Sequence, residues 1–147
     1  MKTIPFHYEH LKVMDMREYE KEKVYPYMLQ AQLDVFNSLP YNYTIIKDGK
    51  IITCAGIVPL WEGVYEVWQI PSIYVKDYKA EYVKIMIDLF MKVAENLKAH
   101  RFQSACPADA LHDRWMKFTG FELEGTLKEY NRFKEDYRMW ARRFVWE

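Results

Sequence analysis

At 147 residues the chain has the length of one domain, and a composition half apolar and 17% aromatic, with only 5 glycines and 6 prolines, excludes disorder and low complexity. Lysine plus arginine and aspartate plus glutamate both number 21, so no net field gathers nucleic acid or anionic lipid, and no apolar run reaches the roughly 18 residues of a membrane span. The opening residues lack the apolar stretch of a signal peptide, and Cys54 and Cys106 stand without a C-x-x-C or histidine cluster, which predicts a cytoplasmic protein with two buried free thiols and no metal.

His10 to Met14 alternates apolar and polar residues and predicts a short opening strand. Asp15 and Glu18 have the spacing of a capping box, and the helix formers from Met16 to Leu39 are broken by Pro26, which predicts two consecutive helices with a kink near Tyr25. The alternating charges from Arg17 to Lys23 read as a solvated helix face. Two β-branched runs, Asn42 to Lys47 and Lys50 to Val58, flank Asp48-Gly49 and predict a hairpin. After a turn at Trp61 to Gly63, a third strand runs from Val64 to Val75 with Pro71 inside it. Proline has no N–H for the ladder, so the strand is expected to bulge and splay there.

Between Tyr78 and Ala99 the residues Val83, Met86, Ile87, Phe90, Val93, Ala94 and Leu97 recur at helical spacing, with Asp77 as the expected N-cap. Arg101 to Cys106 reads as a buried strand, and a second helix is expected from Pro107 through Lys117, ended by Gly120. Glu122 to Phe133 and Asp136 to Phe144 close the chain as an antiparallel pair. In that last strand Tyr137, Trp140, Phe144 and Trp146 alternate with Arg138, Arg142 and Arg143, the residue types enriched at interface hot spots. One strand face in the core explains most of them, and Val145 to Glu147 is left as a candidate docking tail for a protein partner. Glu135, Asp136 and Glu147 offset the arginines, which speaks against nucleic acid.

The order of these elements, the interrupted strand, and Asp109-x-x-His112-x-x-Trp115-Met116-Lys117-Phe118-Thr119-Gly120-Phe121 together resemble the GNAT superfamily of acetyl-CoA-dependent N-acetyltransferases. The resemblance implies one α/β domain over residues 1–147: a mixed, mostly antiparallel sheet of six to seven strands, splayed near Pro71 and flanked by helices. It also implies acetyl-CoA as cofactor, Glu66 as the base, and backbone N–H groups around Ser72 and Ile73 that polarise the thioester carbonyl. The family's glycine-containing pyrophosphate loop corresponds to Val75-Lys76-Asp77-Tyr78-Lys79-Ala80-Glu81, which has no glycine, so Lys76 and Lys79 would hold the phosphates as point charges. The tyrosine that protonates the leaving thiolate aligns with Met116, which has no proton to give; Cys106 and His112 are the nearby substitutes. Degenerate phage-encoded members share the pattern seen here as Arg114, Lys117 and Gly120. Two functions follow from the resemblance: a phage protein of the host cytoplasm and virion that binds protein partners, or an active acetyltransferase.

Overall fold

The chain opens on strand β1 (Lys2–Pro5) in the computed structural model, which describes residues 1–147. His10 to Met14 is not a strand. Helix α1 spans Glu9–Val13, because the two apolar residues that are buried, Leu11 and Met14, lie three apart and share a face only on a helix, while Val13 is exposed. Helix α2 (Glu18–Lys23) and helix α3 (Gln30–Ser38) follow, separated by a 3-10 turn at Tyr25–Tyr27 that contains Pro26, as expected. Asp15 does not cap α2; its carboxylate instead accepts the Tyr74 hydroxyl at 2.6 Å. The charged run is not wholly solvated either, since Glu20 is 3% exposed and pairs with Arg17.

Strands β2 (Asn42–Lys47) and β3 (Lys50–Trp61) form the expected hairpin, with positive φ at both Asp48 (50°) and Gly49 (74°). Strand β4 (Val64–Pro71) stops at the proline rather than continuing to Val75. Ile73–Asp77 is a 3-10 turn, fixed by the Tyr74 N–H donating to Ser72 Oγ at 3.1 Å. Asp77 is therefore the last residue of that turn and not the cap of helix α4 (Lys79–Leu97). The buried face of α4 is Tyr82, Met86, Val93 and Ala94, so the stripe begins with a tyrosine that the apolar pattern left out.

Pro107 ends strand β5 (Arg101–Pro107) and does not start the next helix; Asp109, whose Oδ1 accepts the His112 N–H at 2.8 Å, caps helix α5 (Ala110–Phe118). Strands β6 (Glu122–Leu127) and β7 (Tyr137–Arg143) pair antiparallel. The result is a mixed α/β fold with one seven-stranded, mostly antiparallel sheet in the order β1-β2-β3-β4-β5-β7-β6, flanked by helices. No helix is long and apolar enough to cross a membrane, and no three metal-ligating side chains cluster.

The chain divides into two compact units, Met1–Val58 with Val67–Asp88, and Pro59–Glu66 with Leu89–Glu147. The first is built on Phe6, Leu11, Met14, Cys54 and Ile70, with Phe36 stacked on Trp68 at 4.4 Å and Trp68 Nε1 donating to Asn42 Oδ1 at 2.7 Å. Cys54 is fully buried, and burial pushes its thiol up to about 12. In the same unit His10 Nδ1 accepts the His7 N–H at 3.2 Å and lies 2.7 Å from Thr44 Oγ1. Burial and the neighbouring His7 hold its pKa below the ordinary 6.5. Between those two values the unfolded chain binds more protons than the folded one, so this contribution is complete above pH 6.5 and declines as pH falls below it. Urea midpoints at pH 7.5 and 5.5 are expected to differ more in the wild type than in His10→Asn, which keeps an acceptor and cannot ionise.

In the second unit Phe102, Met116, Trp140 and Ala141 are buried. Trp140, at 1% exposure, is thus core and not part of a docking surface. The tail is tied down as well. Trp146 stacks on Phe144 at 5.5 Å, donates Nε1–H to the Ala99 carbonyl at 2.7 Å, and carries the Lys98 ammonium 5.4 Å from its ring. Deleting Val145 to Glu147 is therefore expected to cost about 2 kcal/mol in denaturant unfolding, from the buried part of one indole and its hydrogen bond.

Candidate functional site

The parallel ladder between β4 and β5 has three rungs, Val64↔Arg101, Tyr65↔Phe102 and Glu66↔Gln103, and Glu66 stands on the last of them. Val64 and Phe102 are buried anchors, at 3% and 1% exposure, and they fix the backbone from which Glu66 projects. Its carboxylate is half-buried, and Gln103 Nε2 donates to its Oε2 at 3.2 Å. Burial raises the Glu66 pKa, with the Gln103 hydrogen bond and the Arg101 charge acting the other way. Arg101 gives Glu66 field and no contact, because its guanidinium is held by both oxygens of Glu124 at 2.9 and 2.5 Å. Glu66 is left with one oxygen that Gln103 does not engage, the arrangement a proton acceptor needs.

The Glu66 charge reaches two further groups of the same unit. Cys106 is half-buried, not core as expected, and its thiol is pushed up to about 11, chiefly by burial and further by Asp109, Glu66 and Asp113. It is a protonated thiol at neutral pH and a poor nucleophile. Tyr130, raised by burial and by Glu66, sits in the β6–β7 connection with its ring 5.0 Å from Tyr137. That connection is shaped by Asn131, whose Oδ1 accepts the N–H groups of Phe133 and Glu135 at 3.1 and 2.9 Å. Sequence reasoning passed over Tyr130, since one tyrosine among many in a loop carries no local signal; its relation to Glu66 exists only in the fold. His112 Nδ1 is held by the Asp109 carboxylate at 2.8 and 2.9 Å. Met116 is buried at 4%.

The remaining sequence candidates lie in the first unit. Ser72 is fully buried, its N–H donates to the Ile52 carbonyl at 2.9 Å, and the Ile73 N–H donates to the Asp15 carbonyl at 2.9 Å. Neither is a free donor, so the expectation that these two N–H groups polarise a carbonyl is corrected. Val75 is half-buried and its N–H turns back to the Ser72 carbonyl at 3.4 Å. Lys76 and Lys79 are exposed and make no ion pair. Of the acidic groups around them, Glu81 is neutralised by the Met1 amino group at 3.0 Å and Lys47 at 3.3 Å, Asp48 accepts the Tyr78 hydroxyl at 2.9 Å, and Asp77 is exposed. Lys76, Asp77 and Lys79 thus stand together, exposed, at the start of α4, and the stretch has no glycine.

Neither a protein-family model nor a curated protein sequence matches the chain. Solved structures do. Ard1 from Thermoplasma volcanium superposes with a TM-score of 0.80 at 12% identity, covering 99% of this chain and 98% of that one. A GNAT-family acetyltransferase from Bacillus anthracis gives 0.69 at 14% identity, over 96% and 93%. A GNAT-family acetyltransferase from Elizabethkingia anophelis with acetyl-CoA bound gives 0.58 at 13% identity, over 70% and 75%. At these identities the likeness is one of backbone, and it agrees with the strand order and the short parallel ladder: the chain has the fold of the GNAT acetyltransferases.

Proposed function

We propose that this chain transfers an acetyl group from acetyl-CoA to an amine, with Glu66 as the base. The observation that supports this reading is the half-buried carboxylate on the last rung of the β4–β5 ladder, with its pKa raised and one oxygen held by Gln103. Coenzyme A, when bound, supplies the acetyl group as a thioester. Glu66 takes the proton that the acceptor ammonium must lose before its nitrogen can attack, and a carboxylate whose pKa is raised is a stronger base for that task than an exposed one. Tyr130 keeps its hydroxyl proton at neutral pH and is the phenol within the field of Glu66.

The reading is tested by isothermal titration with acetyl-CoA beside free coenzyme A. Saturable micromolar binding is the expected result; no heat at millimolar ligand overturns it. The second reading, a fold kept for binding a protein partner, including a virion-associated role, is favoured by one observation. Leu111 and Phe118, seven residues apart on α5, are 54% and 71% exposed beside the exposed Arg114 and Lys117.

A further inference from the structure

We infer that Arg101 and Gln103 are positioning residues for Glu66: Arg101 fixes which way the Gln103 amide is turned, and that amide holds the Glu66 carboxylate with one oxygen left for the acceptor nitrogen. The inference rests on the reading of Glu66 as the base and extends it along β5.

Arg101 and Gln103 lie two residues apart on β5 and so share a face of the sheet, the face on which Glu66, the ladder partner of Gln103, also stands. Arg101 Nε donates to Gln103 Oε1 at 2.8 Å, and Gln103 Nε2 donates to Glu66 Oε2 at 3.2 Å. An amide has one carbonyl oxygen and one NH2 group. With the oxygen claimed by the guanidinium, the NH2 group is left to face Glu66, and a donor there favours the carboxylate over the carboxylic acid.

Arg101 is itself held, because its two terminal nitrogens donate to Glu124 at 2.9 and 2.5 Å, so every nitrogen of the guanidinium is engaged. Glu124 has no ladder partner: β6 shifts register against β7 between Leu123 and Gly125, and a bulge of this kind re-aims the side chain it carries. Arg143, opposite Arg101 on β7, adds its charge to the hold on Glu124. Cys106 and Tyr130, the other titratable groups that the Glu66 charge reaches, keep their protons at neutral pH, so Arg101 is the cation in its field.

A simpler account is that Gln103 serves only to satisfy Arg101 Nε. It explains the 2.8 Å bond and leaves the bond from the same amide to Glu66 unexplained.

The test is the titration of the Glu66 carboxyl carbon by NMR in the full chain labelled at glutamate, the signal being identified as the one that Glu66→Gln removes. Gln103→Leu keeps the bulk and removes the donor. Arg101→Lys keeps the charge and removes the fork that grips both Glu124 and the amide. Each is expected to move the Glu66 midpoint upward. Each is also expected to lower kcat near neutral pH about tenfold with acetyl-CoA and a primary amine, the equivalent of one hydrogen bond to a charged group, with KM for acetyl-CoA unchanged. A midpoint that either variant leaves in place overturns the inference: with Gln103→Leu because the amide would then not hold Glu66, and with Arg101→Lys because Arg101 would then act through its charge alone. Midpoints that rise in a chain that acetylates no amine overturn Glu66 as the base and leave the positioning of its carboxylate standing, so the two failures are told apart.

Discussion

Glu66→Gln is expected to reduce acetyl transfer to an amine by about 100-fold or more, the low end of what a positioned base contributes, while the urea midpoint stays near that of the wild type. The variant keeps the length of the side chain and a hydrogen-bonding partner for Gln103, and it removes only the ability to take a proton. The pH profile gives a second readout. Burial raises the Glu66 pKa, so the wild-type rate is expected to climb with pH until the carboxylate is ionised, at a pH above the usual glutamate range, and the variant is expected to lose that limb. Initial rates of thiol release with acetyl-CoA and a panel of primary amines measure both. Activity that survives the substitution removes Glu66 from the chemistry.

The largest stability effect is expected at Trp140, where Trp140→Ala should cost about 3–5 kcal/mol, the range for emptying a buried large aromatic site. Trp140 stands opposite Ser104 of β5 on one side and Leu123 of β6 on the other, at 1% exposure. Its indole N–H has no hydrogen-bond partner, so packing alone provides its contribution. A loss of that size is a large part of a domain's usual stability of about 5–15 kcal/mol, and Trp140→Phe serves as the milder variant whose transition stays measurable. Denaturant midpoints unchanged in both variants would mean that the indole lies on the surface after all, as a docking role requires.

The two predictions rest on different kinds of information. Local signals carried the hairpin, because two β-branched runs around Asp48-Gly49 admit few other conformations. The break at Pro26 and the end of α5 at Gly120 are of the same kind. They follow from backbone rules that act within a few residues. Where neighbours distant in sequence decide, the local pattern misled. His10 to Met14 alternates like a strand, but the core takes Leu11 and Met14 together and the segment becomes a helix. Asp15 has the spacing of a cap, but a tyrosine 59 residues away claims its carboxylate. Pro71 and Pro107 each close a strand, a boundary that composition alone set four residues too late in one case and one residue too early in the other.

For the candidate site the division is the same. That the third strand carries a glutamate was legible, as were the missing glycines and the methionine at the tyrosine's position. Only the tertiary structure decided that Glu66 is half-buried and bound by Gln103, and that its charge reaches Cys106 and Tyr130. It also decided that the Ser72 and Ile73 N–H groups are already spent and that Trp140 belongs to the core. The physical reason is that burial, hydrogen-bond engagement and pKa depend on which groups are brought within a few ångströms of one another. The sequence by itself determined the kinds of residue available and the local bends of the chain, and long-range packing determined which of them are free to act.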